Sequence, residues 1–257
     1  MPSTLTKESL DSLYDIRRWF DSALGERVLL TEQAILDQLL IGFFGYHLLQ
    51  ASIYSKELHQ ASPIQNKITL GLDVDDQAPI VARATELPFA DNSIDAILLH
   101  HLLDFLDTPL DTLREFARVS LPMGHLVVVG FNPISLWGVW KLPAGLSGRA
   151  PWLGRFIRPS RLMDWLNVLN FKIDRAQYCI YSPPIVRQSV RKLDYSKGLS
   201  RNINLPVGAV YVIVARKQVS TMTPIRRPWN SRRLELAKSG FSAVPPVRNG
   251  VLRRMRD

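Results

Sequence analysis

Apolar residues recur along residues 7–217 at two different spacings, which divide this part of the chain into helices and strands. Helical spacing predicts helices over 7–24, 31–43 (capped by Thr31), 108–125 and 159–171. Short apolar runs predict strands over 46–52, 67–74, 93–99, 125–133, 171–181 and 208–217. Because strands that alternate with helices need crossover connections, we expect an α/β protein with a doubly wound parallel sheet and helices on both faces.

Composition excludes several classes of protein. Of the 257 residues, 46% are hydrophobic, too many for a wholly disordered chain. The single cysteine, Cys179, excludes a disulfide framework and a zinc site built from several thiolates. The start of the chain lacks a signal-peptide pattern, and the longest apolar run, Leu39–Leu49, is shorter than the roughly 20 residues of a membrane span. We therefore expect a cytoplasmic protein.

Charge and pattern together divide the chain into three parts. Residues 1–45 form a helical segment, 46–217 form the sheet domain, and 218–257 form a basic tail that we expect to be disordered. The tail carries eight Arg and one Lys against one Glu and one Asp, which accounts for most of the net charge of +9. It could bind nucleic acid or an anionic membrane surface, or it could be a solubilising terminus with no fixed partner.

The stretch 86–133 carries a series of motifs in a fixed order. ELPFADNSID is followed by LLHHLLDF, then by the helix TLREFARVSLPMG and a strand. This series resembles the class I S-adenosylmethionine-dependent methyltransferases of the type 11-like group. GFNPISLWG (Gly130–Gly138), the Trp19-Phe20 pair and the YHLLQ strand are together similar to the YafS-like bacterial branch of that superfamily. The resemblance implies a seven-stranded Rossmann-like methyltransferase sheet, its last strand antiparallel, and methyl transfer from S-adenosylmethionine.

The resemblance also implies where that cofactor would bind. Gln50 stands where the family has an acid, and Ala51 and Ser52 begin a turn that lacks the family's glycines, so the cofactor site is weakened. Asp73 or Asp75 would bind the ribose hydroxyls, and spacing does not choose between them. The other implied contacts are Thr85, Glu86, Leu87 and His100.

Two adjacent histidines are the candidate catalytic residues. His100 and His101 stand at the end of the fourth strand of the family, near the presumed methyl group, and one could be a general base. Alternatively, one caps the turn and the other fills the sheet edge. Asp104 could orient His101 or cap the next helix. Because neighbours in a strand point in different directions and no metal-binding spacing accompanies the pair, we predict no metal site.

The chain contains no Asp or Glu between Glu115 and Asp164, an interval that includes the predicted strand 125–133 and the segment after it. We expect residues 137–160 to form a lid over the active-site mouth, with tryptophan and arginine interleaved for nucleic acid or anionic lipid. Alternatively, the tryptophans pack on the sheet and the arginines face water. The candidate substrate contacts are Asn132, Trp137, Trp140 and Arg155, although Asn132 could simply fix the turn before Pro133.

Two functional hypotheses follow from these residues. The first is an S-adenosylmethionine-dependent methyltransferase whose acceptor the sequence does not name. The alternative is a methyltransferase-fold protein that has lost catalysis and binds nucleic acid, an anionic membrane or a protein partner. The alternative depends on the missing glycines and on Arg83, which stands where the family has an acid and cannot accept a hydrogen bond. The motif order favours the first.

Overall fold

The computed structural model describes residues 7–72, 78–145, 150–184 and 204–219. Asp73, Asp75 and the basic tail from residue 220 onward lie outside the described residues. Within the described part, no helix combines the length and the apolar character that crossing a bilayer requires.

Helices and strands alternate along the described chain. The helices are α1 Lys7–Phe20, α2 Ala23–Leu40, α3 Leu102–Phe105, α4 Pro109–Val119, α5 Leu136–Ala144 and α6 Pro159–Val168. The strands are β1 His47–Ser52, β2 Asn66–Gly71, β3 Ile80–Val81, β4 Ile94–His100, β5 Ser120–Phe131, β6 Phe171–Cys179 and β7 Val210–Lys217.

The strands form one seven-stranded sheet in the order β3-β2-β1-β4-β5-β7-β6. The strands from β3 to β5 are parallel to their neighbours, whereas β7 is antiparallel to both β5 and β6. This arrangement confirms the predicted α/β sheet and its antiparallel last strand. Strand order reverses between β1 and β4, so the carboxyl ends of these strands border the crevice in which such sheets bind ligands.

Alternate residues of the central strands pack into two separate apolar layers. Leu48 and Leu98 face α1 and α2, whereas Leu49 and Leu99 face α4 and α6. Successive side chains of a strand point to opposite faces, so continuous apolar runs such as β4 are what a sheet covered on both sides requires.

Several boundaries differ from the sequence prediction: α1 ends at Phe20, β2 at Gly71 and α6 at Val168, and β5 begins at Ser120, inside the predicted helix 108–125. Helix α2 begins at Ala23 because the Ser22 hydroxyl accepts the Gly25 amide as its cap, while the Thr31 hydroxyl donates to the Arg27 carbonyl inside the helix. Helix α4 ends at Val119, since Pro122 excludes a helical conformation for the residue before it. Strand β3 has only two residues, too few for a periodic pattern to indicate.

Candidate active site

A cleft of about 500 Å³ lies at the carboxyl ends of β1 and β2. Its walls come from Ser52 at the end of β1, Thr69 and Gly71 of β2, and Tyr14 and Arg17 of α1. Pockets of this size are common for small ligands. One wall of the cleft thus comes from the end of β1, which is one of the two strands that flank the reversal of strand order, the region where doubly wound sheets bind ligands.

The connection from β1 to β2 is described throughout, and it contains no helix. The buried Gln50 amide holds this connection together, because its nitrogen donates to the Lys56 carbonyl and its oxygen accepts the Leu58 amide, both at 2.8 Å. The fully buried Ile53 occupies the turn, and its carbonyl accepts a hydrogen bond from Arg17 Nε at 2.8 Å. Gln50 is thus engaged by its own chain, while Ser52 reaches the cleft.

Ser52 connects the cleft to a buried chain of polar side chains. Its hydroxyl lies 2.9 Å from His100 Nδ1, and His100 Nε2 lies 2.9 Å from a Glu32 oxygen. His100 and Glu32 are fully buried. Because an ionised Glu32 can only accept, His100 must carry its proton on Nε2, which leaves Nδ1 free to accept from Ser52.

The second histidine joins the same carboxylate. His101 Nε2 lies 2.9 Å from the other oxygen of Glu32, and His101 Nδ1 lies 3.2 Å from Asp104 Oδ2. Asp104 Oδ2 also accepts the Phe131 amide at 2.9 Å. Of the two roles predicted for Asp104, the structure shows the orientation of His101.

The prediction that the two histidines point in different directions is wrong. His101 has left the strand with a φ of 51°, a left-handed conformation that non-glycine residues seldom adopt. Its amide still donates to the Val129 carbonyl at 2.9 Å, and its ring turns to the same side as that of His100. Such backbone outliers concentrate at functional sites.

In this cluster burial favours the neutral form of each group, whereas contact between Glu32 and His101 favours the charged form of both. Burial alone would raise the pKa of Glu32, but the charge of His101 and hydrogen bonds from both rings hold it at about 2. Burial alone would lower the pKa of His101, but Glu32 and Asp104 raise it to about 9. Burial lowers the pKa of His100 and raises that of Asp104. At neutral pH the cluster therefore holds a Glu32–His101 ion pair beside a neutral His100.

Aromatic rings seal the cluster from solvent. The Phe20 ring centroid lies 5.6 Å from each imidazole, and the Phe131 ring lies 4.1 Å from that of His101. The candidate ligand atoms of Glu32, His100 and His101 lie within 4.8 Å of one another, a spacing that could hold a cation. Each Nε2 is already bonded to a carboxylate oxygen, however, so we interpret the cluster as an ion-pair network.

The remaining predicted cofactor residues that the structure describes lie outside the walls of the cleft. Ala51 is buried in β1, and the Leu87 amide donates to Glu115 of α4 at 2.8 Å. Thr85 and Glu86 are exposed, and Glu86 lies 3.5 Å from Arg83. The described cleft walls do not include these residues.

The predicted substrate residues do not converge on one place. Asn132 is fully buried, and its amide bonds the backbone of Ile134, Pro206 and Gly208, which fixes the turn after β5. Trp137 packs in the core and donates to the Ser182 carbonyl. The residues that do reach solvent are Trp140 and Arg155.

Sequence reasoning missed Glu32 and the sealing role of Phe20. A signal for Glu32 existed in the sequence, because it falls on the apolar stripe of α2 between Leu29 and Leu36. A carboxylate on a buried helical stripe needs a partner, and two histidines at a strand end were the available ones.

Comparisons with known proteins agree with the fold. The family model described as a methyltransferase domain matches residues 43–128. The uncharacterized protein YafS of Escherichia coli is 31% identical over 226 residues, covering 85% of this chain and 89% of that protein. A demethylmenaquinone methyltransferase of Renibacterium salmoninarum is 45% identical over 53 residues, 21% of this chain and 22% of that protein.

Solved structures show the same architecture. A Thermotoga maritima S-adenosylmethionine-dependent methyltransferase, described as a possible histamine N-methyltransferase, superposes with a TM-score of 0.60 at 20% identity, covering 82% of this chain and 97% of that chain. The [4+2]-cyclase SpnF superposes with a TM-score of 0.57 at 14% identity, covering 85% of this chain and 98% of that chain. At these identities the likeness is one of fold, and the fold hosts more than one reaction.

The sheet order and the matched domain define a class I S-adenosylmethionine-dependent methyltransferase. Within that class, the chain belongs to the family of the YafS protein, which it matches over most of both lengths. S-adenosylmethionine is the cofactor of the class.

Proposed function

We propose that this protein transfers a methyl group from S-adenosylmethionine to an acceptor bound at the mouth of the cleft. The observation that carries the proposal is the position of Ser52, which lines the cleft and hydrogen-bonds to the buried His100–Glu32 pair. S-adenosylmethionine, when bound, supplies a methyl group on a positively charged sulfur. The comparisons give no support to the alternative of a binding module without catalysis.

The residues of the cleft fit this cofactor in size and chemistry. A volume of about 500 Å³ accommodates a nucleoside with an amino-acid arm. The hydroxyls of Tyr54 and Thr69 and the carboxylate of Glu57 offer partners for ribose hydroxyls and an ammonium group. Asp73 or Asp75, which follow β2 in sequence, remains the predicted ligand of the ribose hydroxyls.

The chain's own residues can remove a proton from the acceptor. His100 is neutral at pH 7 because burial lowers its pKa, so its Nδ1 can take the Ser52 hydroxyl proton while Ser52 takes one from the acceptor. Glu32 would stabilise the imidazolium that results, since its oxygen already accepts the Nε2 proton. In this proposal Ser52 is the catalytic residue at the cleft, and Glu32 is a positioning residue.

Calorimetric titration with S-adenosylhomocysteine tests the cleft. Ser55 is exposed and lines the cleft, so Ser55→Trp should fill the mouth of the cleft and abolish binding. The control is Ser160→Trp, at an exposed position of α6, which should leave binding unchanged. Equal binding by both variants, or none by the unaltered protein, would refute the proposal.

The proton path is tested by methyl transfer from labelled S-adenosylmethionine to fractionated bacterial extracts. Ser52→Ala should lower turnover with little change in cofactor affinity, and Ser52→Thr should restore part of it. If Ser52→Ala turns over as fast as the unaltered protein, Ser52 does not carry the proton.

A further inference from the structure

Helix α5 and the residue pair before it present an apolar surface to solvent. We define the α5 patch as the five side chains Ile134, Leu136, Val139, Trp140 and Leu142, which are 45–77% exposed. Leu136, Val139 and Trp140 have the spacing of one helix face. Scattered apolar residues on a surface are ordinary, but five within nine positions form a contiguous patch of the kind that marks an interaction site.

The opposite side of α5 is firmly anchored, so the patch faces outward by construction. Trp137 is 1% exposed and donates its Nε1 proton to the Ser182 carbonyl at 2.8 Å. The Ser135 hydroxyl caps the helix by accepting the Gly138 amide at 3.1 Å. At Gly138 a Cβ would lie 1.9 Å from the Pro133 carbonyl oxygen, so the first turn packs closely on the chain before it.

Two basic side chains and one acid lie beside the patch, and the basic ones prevail. Lys141 lies on α5 itself, donates to the Gly154 carbonyl and sits 4.2 Å above the Phe156 ring. Arg155 follows Gly154, and 69% of its side chain is exposed, with Asp107 at 3.7 Å. From residue 116 to residue 163 the chain contains no acid. An apolar helix face with tryptophan and a basic margin is the pattern of helices that lie in the interface of anionic membranes.

From these observations we infer that the α5 patch docks the protein on an anionic phospholipid bilayer. Lipid fits better than nucleic acid, since bases stack on aromatic or guanidinium planes and the patch offers aliphatic side chains with one tryptophan. Strand β5, which leads into α5, is parallel to β4, so the patch lies on the same edge of the sheet as the cleft. The inference concerns binding alone and does not depend on methyl transfer.

Flotation with vesicles tests the docking on the full-length protein. The vesicles are phosphatidylcholine alone or phosphatidylcholine with about one third phosphatidylglycerol, an anionic fraction large enough to attract basic side chains. The variant Val139→Ser/Trp140→Ser changes two exposed residues of the patch. The matched control, Phe44→Ser/Tyr46→Ser, changes two residues that are 77% and 79% exposed at the opposite edge, before β1.

We expect the unaltered protein and the control to bind the anionic vesicles, and the α5 variant to bind about tenfold more weakly or worse. Far-UV circular dichroism checks that all three are folded. The proposal is overturned if the unaltered protein does not float with anionic vesicles, if the α5 variant binds them as well as the control does, or if both variants lose binding equally. It is also overturned if the α5 variant loses RNA binding or self-association while vesicle binding stays unchanged.

Discussion

Replacing Glu32 by glutamine removes the charge at the centre of the buried cluster and nearly keeps its shape. In the native protein the two Glu32 oxygens accept from His100 and His101, both at 2.9 Å. Glutamine offers one acceptor and one donor, so one imidazole loses its partner and the His101 imidazolium loses one of its two carboxylate neighbours. We expect Glu32→Gln to destabilise the fold.

The pKa of His101 gives the order of magnitude of this effect. Its rise from 6.5 to about 9, which Glu32 and Asp104 produce together against burial, corresponds to about 3 kcal/mol in favour of the imidazolium, at about 1.4 kcal/mol per pKa unit. Breaking a buried ion pair from one side typically costs about 3–5 kcal/mol, which agrees. The melting temperature should fall by roughly 6–12 °C, since each kcal/mol moves a domain of this size by about 2–4 °C.

The pH dependence identifies the ion pair as the cause. Because the pKa of His101 is raised on folding, its stabilisation is complete below 6.5 and is lost as pH rises through about 9. The pKa of Glu32 is lowered to about 2, so its contribution is complete above 4.5 and is lost as pH falls toward 2. The difference in free energy of unfolding between the native protein and the variant should therefore be largest between about pH 4.5 and 6.5. It should shrink above pH 9.

Urea unfolding followed by tryptophan fluorescence measures that gap at about pH 6, 7.5 and 9.5. Glu26→Gln, an exposed change in the first turn of the same helix, is the control and should stay within about 0.5 kcal/mol of native. A gap for Glu32→Gln that is below about 1 kcal/mol, or that is the same at all three pH values, would contradict an ion pair between Glu32 and His101.

Three further predictions concern the surroundings of the site. Tyr211→Phe should be neutral or stabilising by up to about 1 kcal/mol in urea unfolding, because the buried hydroxyl has no hydrogen-bond partner among the described residues; a loss of 1 kcal/mol or more would contradict this. Gln50→Ala should cost about 2–3 kcal/mol in the same assay, since the Lys56 carbonyl and Leu58 amide lose their partner, and an unchanged midpoint would show that the amide does not hold the connection. Protein purified without chelator should carry only traces of transition metal by mass spectrometry, and one ion per chain that His100→Gln removes would replace the ion-pair interpretation by a metal site.

The layers of the sheet could be predicted from the sequence, because each central strand is a short apolar run and each helix has one apolar stripe. β5 illustrates this, as its run from Leu126 to Phe131 is short and rich in valine, which favours a central strand over a buried helix. The start of α2 could not be predicted, since Ser22 and Thr31 are both acceptable caps and only the tertiary structure selects the earlier one.

The candidate site was harder to predict because its parts are distant in sequence. Glu32, Ser52 and His101 meet only after α2 has packed across the ends of β1 and β4. The side to which His101 turns depends on a left-handed backbone that no periodic pattern indicates. The sequence singled out residues 137–160 for nucleic acid or anionic lipid, but it could not show which tryptophan faces outward, since Trp137 and Trp140 are alike in sequence and opposite in burial.

A crystal structure of the protein with S-adenosylhomocysteine tests the central claim most directly. We predict the ligand in the cleft between β1 and β2, in contact with Ser52, Thr69 and Gly71, with its sulfur beside the Ser52 hydroxyl. Ligand density elsewhere on the molecule, or a cleft that stays closed to the ligand at saturating concentration, would contradict it.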